Sequence, residues 1–127
     1  KDFDLYGITL AENGKEFCYI EKDKYPRFFP ITGDYMDLSV WPKDVNLSKT
    51  GFWYIDGLHE GEHVKEQVLL YKPFFKKGTI IAFDDIFLSP DMEEMWRGLD
   101  DILEIAYKTT LPLHFTGFGL VQIGDKK

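Results

Sequence analysis

The sequence predicts an α/β fold built on a mostly parallel sheet, and three observations lead there. Short apolar runs rich in β-branched and aromatic residues alternate with two stretches of helical period. Two of those runs, residues 52–55 and 79–83, are separated by one helix-length segment, the spacing of a parallel crossover. The chain closes on two runs joined by a short Gly-bearing connection, which suits an antiparallel pair.

Each element follows from its residues. Residues 4–10, Asp-Leu-Tyr-Gly-Ile-Thr-Leu, read as a strand entering a turn at Glu12-Asn13-Gly14. Residues 17–25 mix aromatics with charge and fit neither period. Phe28-Phe29-Pro30-Ile31-Thr32 reads as a short strand ending in a loop at Gly33-Asp34, and residues 41–51 are polar and turn-rich. Phe52-Trp53-Tyr54-Ile55 is a continuous apolar run of the kind found in buried parallel strands. From Glu62 the period changes: Val64, Val68, Tyr71 and Phe75 share one helix face, with Lys76-Lys77-Gly78 as a basic last turn and C-terminal glycine. Residues 79–83 form the next buried strand. Ser89-Pro90-Asp91 combines an N-cap, a proline at the first helical position and an acid in the first turn. The buried stripe Met92, Met95, Leu99, Ile102 and Ala106 then carries this helix to near Thr109. Residues 113–116 and 119–123 are the closing strands.

Composition sets the class. With 127 residues and 44% hydrophobic content, the chain is long enough for a buried core, and a single cooperative domain over residues 1–127 is expected. No apolar run approaches the roughly 20 residues that span a bilayer, so no membrane partner is expected. One cysteine, Cys18, excludes a disulfide scaffold and favours a reducing, cytoplasmic setting. Fifteen basic against 22 acidic residues leave a net charge of −7, which disfavours nucleic acid and favours divalent cations. The chain opens at Lys1, close to its first strand, which is the expectation for an N-terminally incomplete fragment. Assembly with copies of itself is compatible with the sequence.

Two strands end in acids. Residues 52–55 are followed by Asp56-Gly57-Leu58-His59, and residues 79–83 by Asp84-Asp85. Strands joined by one crossover usually neighbour each other at about 4.8 Å, so three carboxylates should converge on the carboxyl rim where α/β sheets bind ligands. Converging carboxylates repel, and protonation or a bound cation relieves them. Oxygen donors of this kind select Mg²⁺ or Ca²⁺, a hydroxyl bound to such an ion becomes more acidic, and His59 is placed to take its proton. The same acids read equally as helix caps or solvated loop residues. By the same default, His63 reads as a solvated helix residue, His114 as a strand histidine, and Trp53, Tyr54 and Trp96 as core.

The run Tyr54-Ile55-Asp56-Gly57-Leu58-His59, the helix ending in residues 71–78, and Thr79-Ile80-Ile81-Ala82-Phe83-Asp84-Asp85 resemble the fourth strand, crossover and fifth strand of class I S-adenosylmethionine-dependent methyltransferases. They are most similar to the metal-dependent O-methyltransferases of the macrolide-sugar and cephalosporin-tailoring type, and more distantly to the catechol type. The resemblance implies a Rossmann-like sheet with a C-terminal antiparallel hairpin, S-adenosylmethionine as cofactor and Mg²⁺ as metal. It implies Asp56, Asp84 and Asp85 as metal ligands, His59 as general base with Asp56 beside it in catalysis, and Asp56 also among the cofactor contacts. Thr32-Gly33-Asp34-Tyr35 resembles the loop that contacts the cofactor adenine, implying Gly33, Asp34 and Tyr35 as cofactor-binding. Thr9 stands where the second strand normally offers an acid to the ribose, with Glu12 the nearest one. The first strand and its Gly-x-Gly-x-Gly loop have no counterpart, which implies a gap in the middle of the sheet.

The expected activity is Mg²⁺-assisted O-methyl transfer to a hydroxyl of a small molecule, a sugar being one candidate. Two alternatives stand beside it: a non-catalytic methyltransferase-like interaction module, and an RNA ribose methyltransferase. The latter needs a lysine where this chain has Asp84-Asp85, and it sits poorly with a charge of −7.

Overall fold

A computed structural model gives the fold and describes residues 3–10 and 24–125. Cys18, Glu12, the turn at 12–14 and most of the 17–25 stretch lie outside them. The described elements are β1 (Leu5–Thr9), β2 (Phe28–Thr32), β3 (Phe52–Ile55), α1 (Gly61–Tyr71), β4 (Ile80–Asp84), α2 (Pro90–Ile102), β5 (Ile105–Leu111) and β6 (Phe118–Ile123), with short 3-10 turns between some of them. That is the expected order of strands and helices. The chain divides into two compact units, residues 1–45 and 46–127. Among the described residues no helix is long and apolar enough to cross a membrane.

The first unit holds a two-stranded parallel sheet in which Leu5 pairs with Phe28 and Thr9 with Thr32. Tyr6 stacks on Phe29, with ring centroids 5.1 Å apart, and meets Trp41 edge-on at 6.2 Å. Asp37 caps a 3-10 turn by accepting the Ser39 N–H, and Asn46 does the same with the Ser48 N–H at the start of the second unit.

The second unit carries the four-stranded sheet β3-β4-β6-β5, parallel between β3 and β4 and antiparallel elsewhere. The mostly parallel strands and the antiparallel closing pair match the expected class. β4 lies inside the sheet, and Ile81, Ala82 and Phe83 are fully buried. Among the described residues β3 is at the edge of this sheet, and its apolar run is only half covered: Ile55 is buried, while Phe52 and Tyr54 are about half exposed. A continuous apolar run therefore does not mean a strand buried on both faces here.

Helix α1 buries Val64, Val68 and Tyr71, as the spacing predicts. It ends five residues before the expected basic turn, because Pro73 has no N–H to continue the ladder and the chain passes into a 3-10 turn. Lys76 still caps that turn, its Nζ donating to the Pro73 carbonyl at 3.2 Å. Helix α2 buries Met92, Met95, Trp96 and Leu99 against the sheet. Trp96 packs edge-on to Phe83 and covers Gly119 of β6, where a Cβ would lie 2.6 Å from the indole ring.

The expected helix to Thr109 is corrected: α2 stops at Ile102, and residues 105–111 form β5. Tyr107, Thr109 and Thr110 favour an extended chain, and pairing with β6 overrides the helical spacing of Ala106. The segment expected as a strand at 113–116 is instead the loop between β5 and β6.

Candidate active site

Every side chain of the site comes from the ends of β3 and β4, or from the loop between β5 and β6. Parallel pairing of Ile55 with Phe83 sets the first two strands level, so Asp56 and Asp84-Asp85 leave the sheet at the same rim. His59 then bridges them. Its Nε2 lies 3.1 Å from Asp56 Oδ1 and its Nδ1 3.1 Å from Asp85 Oδ2, so one imidazole stands between carboxylates from two strands. The sequence reading placed Asp56, His59, Asp84 and Asp85 on one rim, and the geometry brings them together there.

Asp85 has a backbone φ of +54°, in the left-handed region that Asp and Asn enter more readily than other side chains. The turn directs its carboxylate back towards the sheet end, where it accepts from the Thr116 hydroxyl. Its own N–H donates to Asp84 Oδ1 at 3.0 Å.

Two residues read as structural turn out to belong to the site. Tyr54, expected in the core, is exposed, and its hydroxyl donates to Asp84 Oδ2 at 2.9 Å. Burial, the hydrogen bond to Asp84 and the nearby charge of Asp56 all push its phenol above the usual tyrosine range. His114, expected in a strand, sits in the β5–β6 loop with Nε2 2.6 Å from Asp84 Oδ1 and Nδ1 2.7 Å from Thr116 Oγ1. Burial pushes the Asp84 carboxyl up. Hydrogen bonds from Tyr54, His114 and the Asp85 N–H, with the His114 charge, outweigh that and hold it below the usual carboxylate range.

Two of the three carboxylates expected as metal ligands fall in one cluster of candidate donors. Asp84, Asp85 and His114 offer ligand atoms within 4.8 Å of one another. Asp56 stands apart from that group, connected through His59. The only sequence signal for His114 was a histidine beside a glycine-bearing connection.

The cofactor candidates of the first unit form a loop after β2. Gly33 N–H donates to the Thr9 carbonyl at 2.7 Å, and Asp34 Oδ1 accepts from Met36 N–H at 2.8 Å. Asp34 is exposed and Tyr35 half-buried.

Among solved structures, the chain is similar to a Staphylococcus aureus protein assigned as a caffeoyl-CoA O-methyltransferase, with a TM-score of 0.67 and 12% identity over 96% of this chain and 65% of that one. It is also similar to the SAH-bound methyltransferase PaMTH1 of Podospora anserina, with a TM-score of 0.65 and 15% identity over 96% of this chain and 61% of that one. A third is the fibrillarin pre-rRNA processing protein of Methanococcus jannaschii, with a TM-score of 0.66 and 20% identity over 98% and 57%. At such identities the likeness is one of fold, the Rossmann-like fold of methyltransferases. The chain spans less than two thirds of the length of each. No curated protein matches it significantly. A family model described as a methyltransferase domain matches residues 6–86, from β1 through the acidic pair at the end of β4, and the chain belongs to that family.

Proposed function

We propose that the chain takes part in S-adenosylmethionine-dependent methyl transfer to a hydroxyl group of a small molecule, assisted by a divalent cation. The observation that carries this reading is His59, held between Asp56 and Asp85 at the ends of two adjacent strands. A general base needs a fixed orientation and a carboxylate to stabilise the charge it acquires, and Asp56 supplies both.

When bound, S-adenosylmethionine supplies a methyl group already activated by the sulfonium, and a divalent cation supplies acidity to the acceptor hydroxyl. The carboxylates of Asp84 and Asp85 fit a hard cation such as Mg²⁺. Tyr54 and Thr116 hold those carboxylates in place from either side. His59 donates Nε2–H to Asp56, which holds the ring, and its other nitrogen, Nδ1, on the side of Asp85, is the atom that takes the acceptor's proton. Gly33, Asp34 and Tyr35 are the proposed contacts to the cofactor adenine. Leu58 and Phe87 lie two residues beyond Asp56 and Asp85, Phe115 follows His114, and the three are 49%, 44% and 97% exposed, which offers apolar area to the body of an acceptor. A net charge of −7 suits a small acceptor over a nucleic acid, and a single cysteine suits a cytoplasmic setting.

The test is calorimetric titration with S-adenosylmethionine, followed by transfer of a labelled methyl group to a panel of hydroxylated small molecules. Binding and transfer are expected, with His59→Ala keeping the first and losing the second. A protein that binds no S-adenosylmethionine would refute the reading.

A further inference from the structure

The proposed function needs a cation at the acidic rim, and the loop between β5 and β6 bears on which ion that is. His114 enters the rim from a part of the chain outside the family match, which ends at residue 86. Its ring nitrogens have different partners. Thr116 Oγ1 has one hydrogen, and that hydrogen goes to Asp85 Oδ1, a carboxylate oxygen that can only accept. The same Thr116 oxygen lies 2.7 Å from His114 Nδ1, so it accepts from Nδ1–H. In the neutral ring this fixes the tautomer with the lone pair on Nε2, and Nε2 is the atom that faces Asp84 Oδ1 at 2.6 Å. At 2.6 Å Nε2 reaches Asp84 as a hydrogen-bond donor, as in the contact described above, so the pair shares a positive species. A proton supplies it as imidazolium; a metal ion supplies it as a shared ligand bond.

The arrangement is the one a metal-binding histidine requires. One nitrogen is turned to the carboxylate donors, and the other is anchored by an outer hydrogen bond that holds the ring. Donors of one coordination sphere lie about 3 Å apart when metal bonds are about 2.1 Å long, and the ligand atoms of Asp84, Asp85 and His114 all lie within 4.8 Å of one another. The three side chains are 19%, 21% and 35% exposed, so an ion can reach them while most of their surface stays packed.

We propose that the cation of this site is held by Asp84, Asp85 and His114, and that His114 Nε2 makes it selective for Mn²⁺ and the later first-row divalent ions over Mg²⁺. Resting on the cation-assisted reading above, this changes the ligand set and the ion. Imidazole suits borderline metals, carboxylates suit Mg²⁺ and Mn²⁺ alike, and affinity for a mixed N and O site rises from Mn²⁺ towards Cu²⁺. Asp56 is then the partner of His59 and no ligand.

The experiment titrates the whole chain with Mn²⁺, followed by the loss of the free-ion electron paramagnetic resonance signal, and with Mg²⁺ as competitor. Co²⁺ visible absorption serves as a second signature sensitive to a nitrogen ligand. Mn²⁺ is expected to bind at least about tenfold more tightly than Mg²⁺. His114→Ala and His114→Gln should each lower the Mn²⁺ to Mg²⁺ affinity ratio by about tenfold or more and change the Co²⁺ bands, with circular dichroism unchanged. Asp56→Asn should leave the ratio intact. Equal affinity for the two ions, or a ratio unaffected in both His114 variants, overturns this ligand set while cation-assisted transfer stands. A chain that binds neither ion overturns both; in that case transfer in the presence of a chelator shows whether methylation itself survives.

Discussion

At the residue scale, the site brings like charges together and surrounds them with hydrogen-bonding side chains. His59 stands between Asp56 and Asp85, Tyr54 donates to Asp84, and Thr116 donates to Asp85. Replacing one carboxylate therefore tests charge with little change of shape. Asp85→Asn keeps a side chain that accepts the left-handed backbone at φ +54° and removes one negative charge. The expected outcome is a loss of divalent-ion affinity of about tenfold or more with an unchanged far-ultraviolet spectrum; undiminished affinity would remove Asp85 from the site. His59→Ala is expected to slow methyl transfer by about 10²- to 10⁴-fold at constant S-adenosylmethionine affinity, measured by single-turnover transfer under saturating cofactor. Asp56, Asp84 and Asp85 were legible in the sequence as acids directly after apolar runs, and His59 as a histidine three residues beyond Asp56. Tyr54 and His114 were not. Tyr54 lies within an apolar run whose exposure depends on which strand forms the sheet edge, and His114 meets Asp84 across 30 residues through an antiparallel pairing that local spacing does not encode.

At the scale of elements, the junction of the two helices rests on Asp91. Its Oδ2 accepts from Gly61 N–H at 2.8 Å, so a side chain in the first turn of α2 caps α1, whose own N-cap residue Glu60 makes no side-chain bond. Gly61 has to be glycine, since a Cβ would lie 2.3 Å from the Asp91 carbonyl oxygen. The Ser89 hydroxyl donates to Asp91 Oδ1 at 2.6 Å, which is why the predicted N-cap serine gives α2 no cap bond of its own. The hydrogen bonds from Ser89 and Gly61 hold the Asp91 carboxyl below its usual range. A depressed pKa in the folded state contributes stability that is present above the unfolded value, near 3.8, and is lost as pH falls through the folded one. Thermal melts of the parent and Asp91→Asn should therefore differ at neutral pH and converge below about pH 4. A constant difference down to pH 2 would mean the carboxylate is irrelevant to the junction. Leu99, a fully buried residue of α2, gives a complementary test of packing: Leu99→Ala is expected to cost about 2–5 kcal/mol in denaturant unfolding. The α2 core stripe was readable from the sequence, but its end was not. Ala106 continues the helical spacing, and only the partner strand β6 decides that the chain there is extended.

At the scale of the molecule, buried area is distributed unevenly. Every buried hydrophobic side chain among the described residues, from Leu47 to Ile123, belongs to the unit of residues 46–127. The order of elements and the acidic rim could be read from the sequence, but this asymmetry could not, because the apolar residues of β1 and β2 resemble those of β4 in composition. Phe29 and Leu5 remain 42% and 51% exposed, whereas Ile81 and Phe83 are almost wholly covered by helices and neighbouring strands. A two-stranded sheet has marginal stability alone, whereas four strands packed on two amphipathic helices can support a cooperative core. Residues 46–127 also contain every residue of the rim, from Tyr54 to Thr116. Expressed alone, that segment is expected to unfold in one cooperative thermal transition. It should retain the Mn²⁺ affinity of the whole chain within about threefold, because none of its proposed ligands comes from the first unit. Native-state hydrogen exchange on the whole chain should show the same division, with the amides of Ile81 to Phe83 exchanging slowest and those of β1 and β2 exchanging through low-energy openings. A fragment that melts without cooperativity, or β1 amides protected as strongly as those of β4, would show that the fold depends on both units for its stability.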